Sequence, residues 1–299
     1  MKKNTNHYSL ITNHYSLITN HYSLITNHYS LITTHYSLLT VLSLLLCLTA
    51  CSPREKTARL MTYNIRNGIG MDNQRDLSRV AAVINAYRPD VVAVQEVDSA
   101  TRRSGGLDIL GELAKLTGLK PVYAPAIDYD GGKYGVGLLC RKPPLSVEQR
   151  VLPGREEQRT VVTAEFDGFV FACTHLSLTA ADRVMSFPIL WDVALRHAGK
   201  PFYLAGDFNA EPGEPFIRML TDRFDILTDT TVRTFPADEP DITIDYIVSR
   251  DDEVEKSKSQ KVEKPESRKA GNKTDADVAV ASDHRPVCID ITYKTKQKK

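Results

Sequence analysis

Six short stretches of this chain share one pattern: an apolar run stops on, or starts from, a carboxylate, an amide or an imidazole. Met61-Thr-Tyr-Asn64 ends on an amide, and Val91-Val-Ala-Val-Gln-Glu96 ends on a carboxylate. Phe171-Ala-Cys-Thr-His175 ends on an imidazole, and Tyr203-Leu-Ala-Gly-Asp-Phe-Asn209 delivers Asp207 and Asn209 two residues apart. Ile242-Thr-Ile-Asp-Tyr-Ile-Val248 carries Asp245 near its start, and Ser282-Asp-His-Arg-Pro286 stands just before the final apolar run. Singly, each has an ordinary explanation, because Asp and Asn at strand ends satisfy nearby backbone donors. Together they constrain the fold: if those ends meet at one rim, they form a hole lined by hard oxygen ligands and two imidazoles.

The periodicities supply the elements that could bring them there. The segment Ala58–Ile65 reads as a strand, and Leu77–Tyr87 reads as a helix with Leu77, Val80, Ala81 and Ile84 on one face. Pro89-Asp90 ends that helix before a second, buried strand. Leu107–Leu116 is a second helix closed by Gly118. Strand signals follow at Val122–Ala124, Gly135–Cys140, Leu145–Val151, Thr160–Phe166 and Phe169–Thr174, the last two joined by an Asp167-Gly168 hairpin turn. A helix over Ala180–His197, kinked at Pro188, precedes a strand at Phe202–Leu204, a short helix near Pro215–Leu220, and strands at Ile244–Val248 and Val287–Thr292. Many strands interleaved with few helices predict an α/β fold of two packed sheets with helices outside.

Two segments stand apart. Asn6-His-Tyr-Ser-Leu-Ile-Thr12 recurs at 13–19, 20–26 and 27–33, with a degenerate copy at 34–40. β-Branched and aromatic residues in each copy, without flanking charge, make it a poor coiled-coil heptad. It reads as an expanded leader, or as a start placed too early. The apolar run 38–50 has the length of a signal-peptide core and is short for a membrane span. It ends in Leu48-Thr-Ala-Cys51, which resembles a bacterial lipobox. The expectation is an exported protein, lipidated at Cys51, joined by a tether over 51–57 to a domain over 58–299, and anchored to the cell envelope. The residue after Cys51 is Ser rather than Asp, which points to the outer membrane. Residues 251–277 are rich in Lys, Glu and Ser and almost free of apolar groups, so they read as a charged, flexible insertion. Cys140, Cys173 and Cys288, each in a strand-like run, fit buried thiols better than a disulfide framework.

Carboxylates and amides without thiolates suit Mg²⁺ or Mn²⁺ rather than zinc, and such ions are the usual partners of phosphoryl transfer. The motifs MTYNIRNG, VVAVQEVD, YGVGLLCRKP, FACTHLSL, YLAGDFNAEP, IDYIVSR and SDHRPV occur here in the order found in the endonuclease/exonuclease/phosphatase superfamily, which the chain resembles from about Leu60 to Thr292. That resemblance implies a four-layer α/β sandwich of two mainly antiparallel β-sheets flanked by helices. It implies Glu96 as principal metal ligand, with Asn64 and Asp283 nearby. Asp207 would align or deprotonate the attacking water, and Asn209 and His175 would hold phosphate oxygens. His284 would be a general base or a charged phosphate clamp, oriented by Asp245. Which of Asp207 and His284 takes the proton is open at this level.

Within the superfamily, His175 stands where abasic-site endonucleases carry asparagine, and where pancreatic-type nucleases, sphingomyelinases and inositol phosphatases keep histidine. Arg103 could reach a second phosphate or head group, and Tyr134, on a glycine-rich turn, could line the cleft. A net charge of +1 gives no general grip on polyanions. The expectation is a monomeric, metal-dependent hydrolase of small or lipid-linked phosphate esters, ahead of a nuclease. The contrasting class is a catalytically inactive, surface-tethered binding protein.

Overall fold

The computed structural model describes residues 5–50, 54–250 and 278–295. The chain divides into two units, the first being residues 1–54 with 297–299 and the second residues 55–296. In the first, the repeats form one α-helix, α1 (Thr5–Ala50). Its threonines donate back to carbonyls a turn away, as Thr19 Oγ1 does to the Tyr15 carbonyl at 2.9 Å, and every side chain over 12–41 is exposed. Among the described residues no helix is long and apolar enough to cross a membrane. Cys51 and the charged segment 251–277 lie outside the described residues.

The second unit contains β1 (Arg54–Asn64) from its second residue onward, α2 (Leu77–Tyr87), β2 (Val91–Ser99), α3 (Ile109–Thr117), β3 (Lys120–Tyr129) and β4 (Gly132–Cys140). It continues with β5 (Ser146–Leu152), β6 (Arg159–Glu165), β7 (Val170–His175), α4 (Ala180–Arg196), β8 (Phe202–Asp207) and α5 (Pro215–Thr221). The last strands are β9 (Phe224–Ile226), β10 (Asp245–Arg250) and β11 (Val287–Thr295). One sheet has the order β11-β1-β2-β4-β3 and the other β5-β6-β7-β8-β10-β9. Both are mixed: β1 and β2 run parallel, as do β7 and β8, while β2–β4, β3–β4, β5–β6, β6–β7, β8–β10 and β9–β10 are antiparallel.

Side-chain alternation sorts these strands into layers. Leu60, Val91, Ala93 and Leu138 of the first sheet meet Phe171, Cys173, Tyr203, Ala205 and Ile247 of the second in one buried cluster between the sheets. The opposite faces are covered by helices. Met61, Tyr63, Val92 and Val94 pack with Val80, Ile84, Leu110 and Leu113 of α2 and α3. Val170, Phe202, Leu204 and Val248 pack with Leu190, Val193, Phe216 and Leu220 of α4 and α5. The result is the four-layer sandwich, helices–sheet–sheet–helices. Asp76 caps α2 by accepting from the Ser78 and Arg79 amides, and Gly118 ends α3 in the left-handed region at φ 72°. Cys140 and Cys173 are buried and Cys288 half-buried, all three as free thiols.

Candidate active site

Period-two alternation decides which polar strand ends point between the sheets. On β8, Tyr203 and Ala205 face the inter-sheet core, so Asp207 does too; the same phase carries His175 after Phe171 and Cys173, and pairs Asp245 with Ile247. Register then sets them side by side: His175 pairs with Asp207 across β7–β8, and Asp245 with Asp207 across β8–β10. The close approach of β7 and β8 needs Gly206, because a Cβ there would lie 2.0 Å from the Thr174 carbonyl oxygen. In the facing sheet, Leu60 and Thr62 lead in the same way to Asn64.

Glu96 does not follow the alternation. After Val92 and Val94, the next residue packed beneath α2 and α3 is Val97, and the β2–β4 register shifts between Val94 and Val97. This β-bulge inserts one residue, with Glu96 at φ 58°. A glutamate in the left-handed region costs of order 1–3 kcal/mol and persists only where its surroundings impose it. Here it turns a carboxylate that simple alternation would aim at the helices toward Asn64.

Asn64 is the hub. Its Nδ2 lies 3.0 Å from Glu96 Oε1, 3.0 Å from Asp207 Oδ2 and 3.3 Å from His284 Nε2. An amide has two hydrogens for these three neighbours, so a protonated His284 leaves both for the carboxylates. His284 comes from the loop before β11, fixed by Ser282, whose Oγ donates to the Asn64 carbonyl at 2.8 Å. His284 Nδ1 lies 2.9 Å from Asp245 Oδ2, and its Nε2 lies 3.6 Å from Asp207 Oδ2. His175 Nε2 lies 3.4 Å from the same Asp207 oxygen. Asn209, at φ 48°, donates its backbone amide to Asp207 Oδ1 and its Nδ2 to the Leu176 carbonyl, both at 2.9 Å.

Burial dominates the electrostatics. It pushes Asp207 up to about 7 against the opposing charge of His284, and it raises Glu96 above the usual carboxylate range. Burial also lowers His175 well below the ordinary imidazole value, so that ring is neutral. For His284 burial pulls downward, but the charges of Asp245 and Asp207 outweigh it and hold the ring near about 10. His284 is therefore an imidazolium flanked by two carboxylates.

The donor set fits a hard divalent cation. Glu96 has no Lys or Arg partner among the described residues, Asp283 adds a second carboxylate, and Asn64 Oδ1, which accepts from the Arg66 backbone amide at 3.1 Å, keeps a second lone pair. Asp283 is held by Arg66, its Oδ2 3.4 Å from Arg66 Nε. Asp207, Asp245 and His284 form a second cluster, with ligand atoms within 4.8 Å of one another; Asp245 Oδ1 is buried without a partner. The His284 Nδ1–Asp245 contact already occupies one of that cluster's donor atoms.

Glu96, His175, Asp207, Asn209, Asp283 and His284 open onto a cleft of about 570 Å³, also lined by Tyr134, Phe235 and Arg159. The Phe235 ring centroid lies 4.8 Å from that of His284. Sequence reasoning missed Arg159. It is buried, with Nη1 2.8 Å from Glu157 and Nη2 3.4 Å from Glu156, and "GREEQR" gave no signal beyond a charged loop.

Arg103 is placed elsewhere. Its guanidinium grips the fully buried Asp98 through two 2.7 Å bonds and stacks 4.4 Å from Tyr129 and 5.3 Å from Tyr134, so its head is engaged behind the cleft wall. In this structure its head braces Asp98 and is not among the residues that line the cleft. Removing the partner of a buried carboxylate costs several kcal/mol, and the 39% exposure of Arg103 reduces that here. Arg103→Ala is expected to destabilise the fold by about 2 kcal/mol, read as a lowered midpoint in urea, with KM for a small phosphate ester unchanged within about threefold.

The sequence model of the Endonuclease/Exonuclease/phosphatase family matches residues 61–284, which span Asn64 to His284 and thus the whole constellation. The chain belongs to the endonuclease/exonuclease/phosphatase family. Solved structures agree in fold. The endonuclease/exonuclease/phosphatase from Beutenbergia cavernae is 21% identical, covering 80% of this chain and 72% of its own, with a TM-score of 0.58. The mannosyl-6-phosphatase of Bacteroides thetaiotaomicron is 16% identical, covering 78% and 98%, with a TM-score of 0.55. The human Nocturnin catalytic domain, solved with bound sulfate, is 18% identical, covering 82% and 97%, with a TM-score of 0.55. No functionally curated protein matches the sequence. The family places this chain among phosphoester hydrolases, and its members generally use divalent metals.

Proposed function

We propose that the protein is a Mg²⁺- or Mn²⁺-dependent hydrolase of small or lipid-linked phosphate esters, tethered to a membrane through Cys51. The observation that carries the catalytic reading is the meeting, around Asn64, of Glu96 from one sheet with Asp207 from the other and His284 from the loop before β11. Glu96, Asn64 and Asp283 would hold the cation. When bound, the cation neutralises charge on the phosphoryl and leaving oxygens.

This chain's own residues do the rest. Asp207 Oδ2, lifted toward about 7 by burial, takes a proton from the attacking water as its oxygen bonds to phosphorus. The ester P–O bond on the opposite side breaks, and the departing alkoxide takes a proton from solvent. His284, oriented by Asp245 and carrying its proton, donates from Nε2 to a phosphoryl oxygen. Neutral His175 and Asn209 hold the remaining non-bridging oxygens. The cleft wall supports a small substrate over a nucleic acid: outside the catalytic set it carries Glu156, Glu157, Glu211 and Glu214 against the single Arg159, which repels a polyanionic strand.

The test is a panel: bis-p-nitrophenyl phosphate, p-nitrophenyl phosphate, sphingomyelin and plasmid DNA, each with Mg²⁺ and with EDTA. The expected result is turnover of at least one of the first three, falling at least about 100-fold on chelation. DNA as the sole substrate reverses the substrate assignment. Metal-dependent turnover of none of the four leaves the tethered binding protein as the better reading.

A further inference from the structure

The catalytic cleft has an apolar neighbour. Between the first two turns of α4 and the start of α5 lies a groove of about 410 Å³, lined by Ala180, Ala181, Val184, Met185, Pro215 and Phe216. Glu214 borders both the groove and the cleft, and α4 begins just after the segment His175–Leu178, two of whose residues, His175 and Leu178, line the cleft. Leu178, on the cleft side, is 68% exposed, and Met185, in the groove, is 58% exposed. Both side chains are open to an apolar ligand.

The path is rigid. Arg183 is buried, and its Nη1 donates to the Ser177 carbonyl at 3.0 Å and the Leu178 carbonyl at 2.8 Å. Its Nη2 lies 2.5 Å from Glu214 Oε2. One guanidinium thus ties the loop after His175 to the start of α5 where groove and cleft adjoin, while its aliphatic stem adds to the apolar wall.

We propose that this groove holds the hydrocarbon chain of a lipid-linked phosphate ester whose phosphate sits at His175 and Asp207. The assignment rests on the phosphoesterase reading above and adds to it a second subsite, selective for an alkyl tail. The shared Glu214 wall makes the occupant continuous with the substrate rather than a separate ligand. A hydrocarbon is the chemistry that most of the lining accepts, because Ala, Val, Met, Pro and Phe offer a chain no polar side-chain partner, and the two charged lining residues, Arg183 and Glu214, are paired with each other.

The experiment compares butyl, hexyl and octyl esters of phosphate and of p-nitrophenyl phosphate, all below micelle formation. The full-length protein is used, with kcat/KM for turnover and calorimetric titration for binding. A fully buried methylene is worth roughly fourfold in affinity, and this groove is open on one side, so octyl is expected to exceed butyl by at least about tenfold. Met185→Glu, which adds charge, and Ala181→Trp, which fills the space, are expected to reduce the octyl-to-butyl ratio at least about fivefold. Both positions are exposed, so the variants fold, as thermal melts check.

Turnover of every ester with an octyl-to-butyl ratio near one overturns the groove and leaves the hydrolase standing. Chain-length-dependent binding that both variants weaken, without turnover of any ester, overturns the hydrolase and leaves the groove. A chain-length effect that neither variant alters overturns the groove's place in it.

Discussion

His284→Ala is expected to lower kcat by roughly 10²–10³-fold, the range for a lost donor to developing phosphoryl charge. The ring touches Asp207, Asn64 and Asp245 at once, so its removal takes a cation from the centre of the site and leaves two buried carboxylates facing one another. Asp245→Asn tests how the ring is held. Asp245 acts through His284 and is a positioning residue, and its charge is the largest influence raising that imidazole. If protonated His284 is the working form, activity falls as pH rises through its pKa. Removing the Asp245 charge lowers that pKa, so the alkaline fall should begin at lower pH in Asp245→Asn. An unmoved alkaline limb in the pH–rate profile would sink the clamp assignment, whatever the loss in rate.

Glu96→Gln is expected to cost at least about 100-fold in turnover, with the Mg²⁺ concentration for half-maximal rate raised at least about tenfold. Glutamine keeps the shape and loses the charge. Without a cation the wild-type carboxylate is penalised by burial and by the neighbouring Asp283, which is why it sits high. The variant should therefore melt at the same temperature as wild type or above it when metal is absent. A protein less stable and equally active would show Glu96 to be structural. Loss of rate together with retained or improved stability is the signature of a group kept for chemistry at a cost to the fold.

Much of this was legible before any coordinates. Apolar alternation located β1, β7, β8 and β10, and the same alternation fixes which face Asn64, His175, Asp207 and Asp245 occupy. What the chain did not announce depended on long-range geometry. The bulge at Glu96 carries no glycine or proline, so nothing local marks the change of face. Strand β9 is three residues long, too short for periodicity to register. Arg103, a loop arginine beside glycines, looks free in the sequence, whereas its partner Asp98 is buried at the end of the preceding strand. Arg159 was overlooked for the reverse reason: two glutamates beside it suggested a solvated turn, yet the start of β6 buries the guanidinium at the cleft.

The amide of Asn64 belongs to one sheet and its 3.0 Å partner Asp207 to the other. A strand advances about 3.3 Å per residue, so sliding one sheet past its neighbour by a single position would open that bond completely. Neither layer holds half an enzyme, and catalytic rate doubles as a vernier on how the two are aligned. Substitutions deep in the interleaf, at Leu138 or Phe171 and far from any phosphate, should then register as slow chemistry before they register as unfolding.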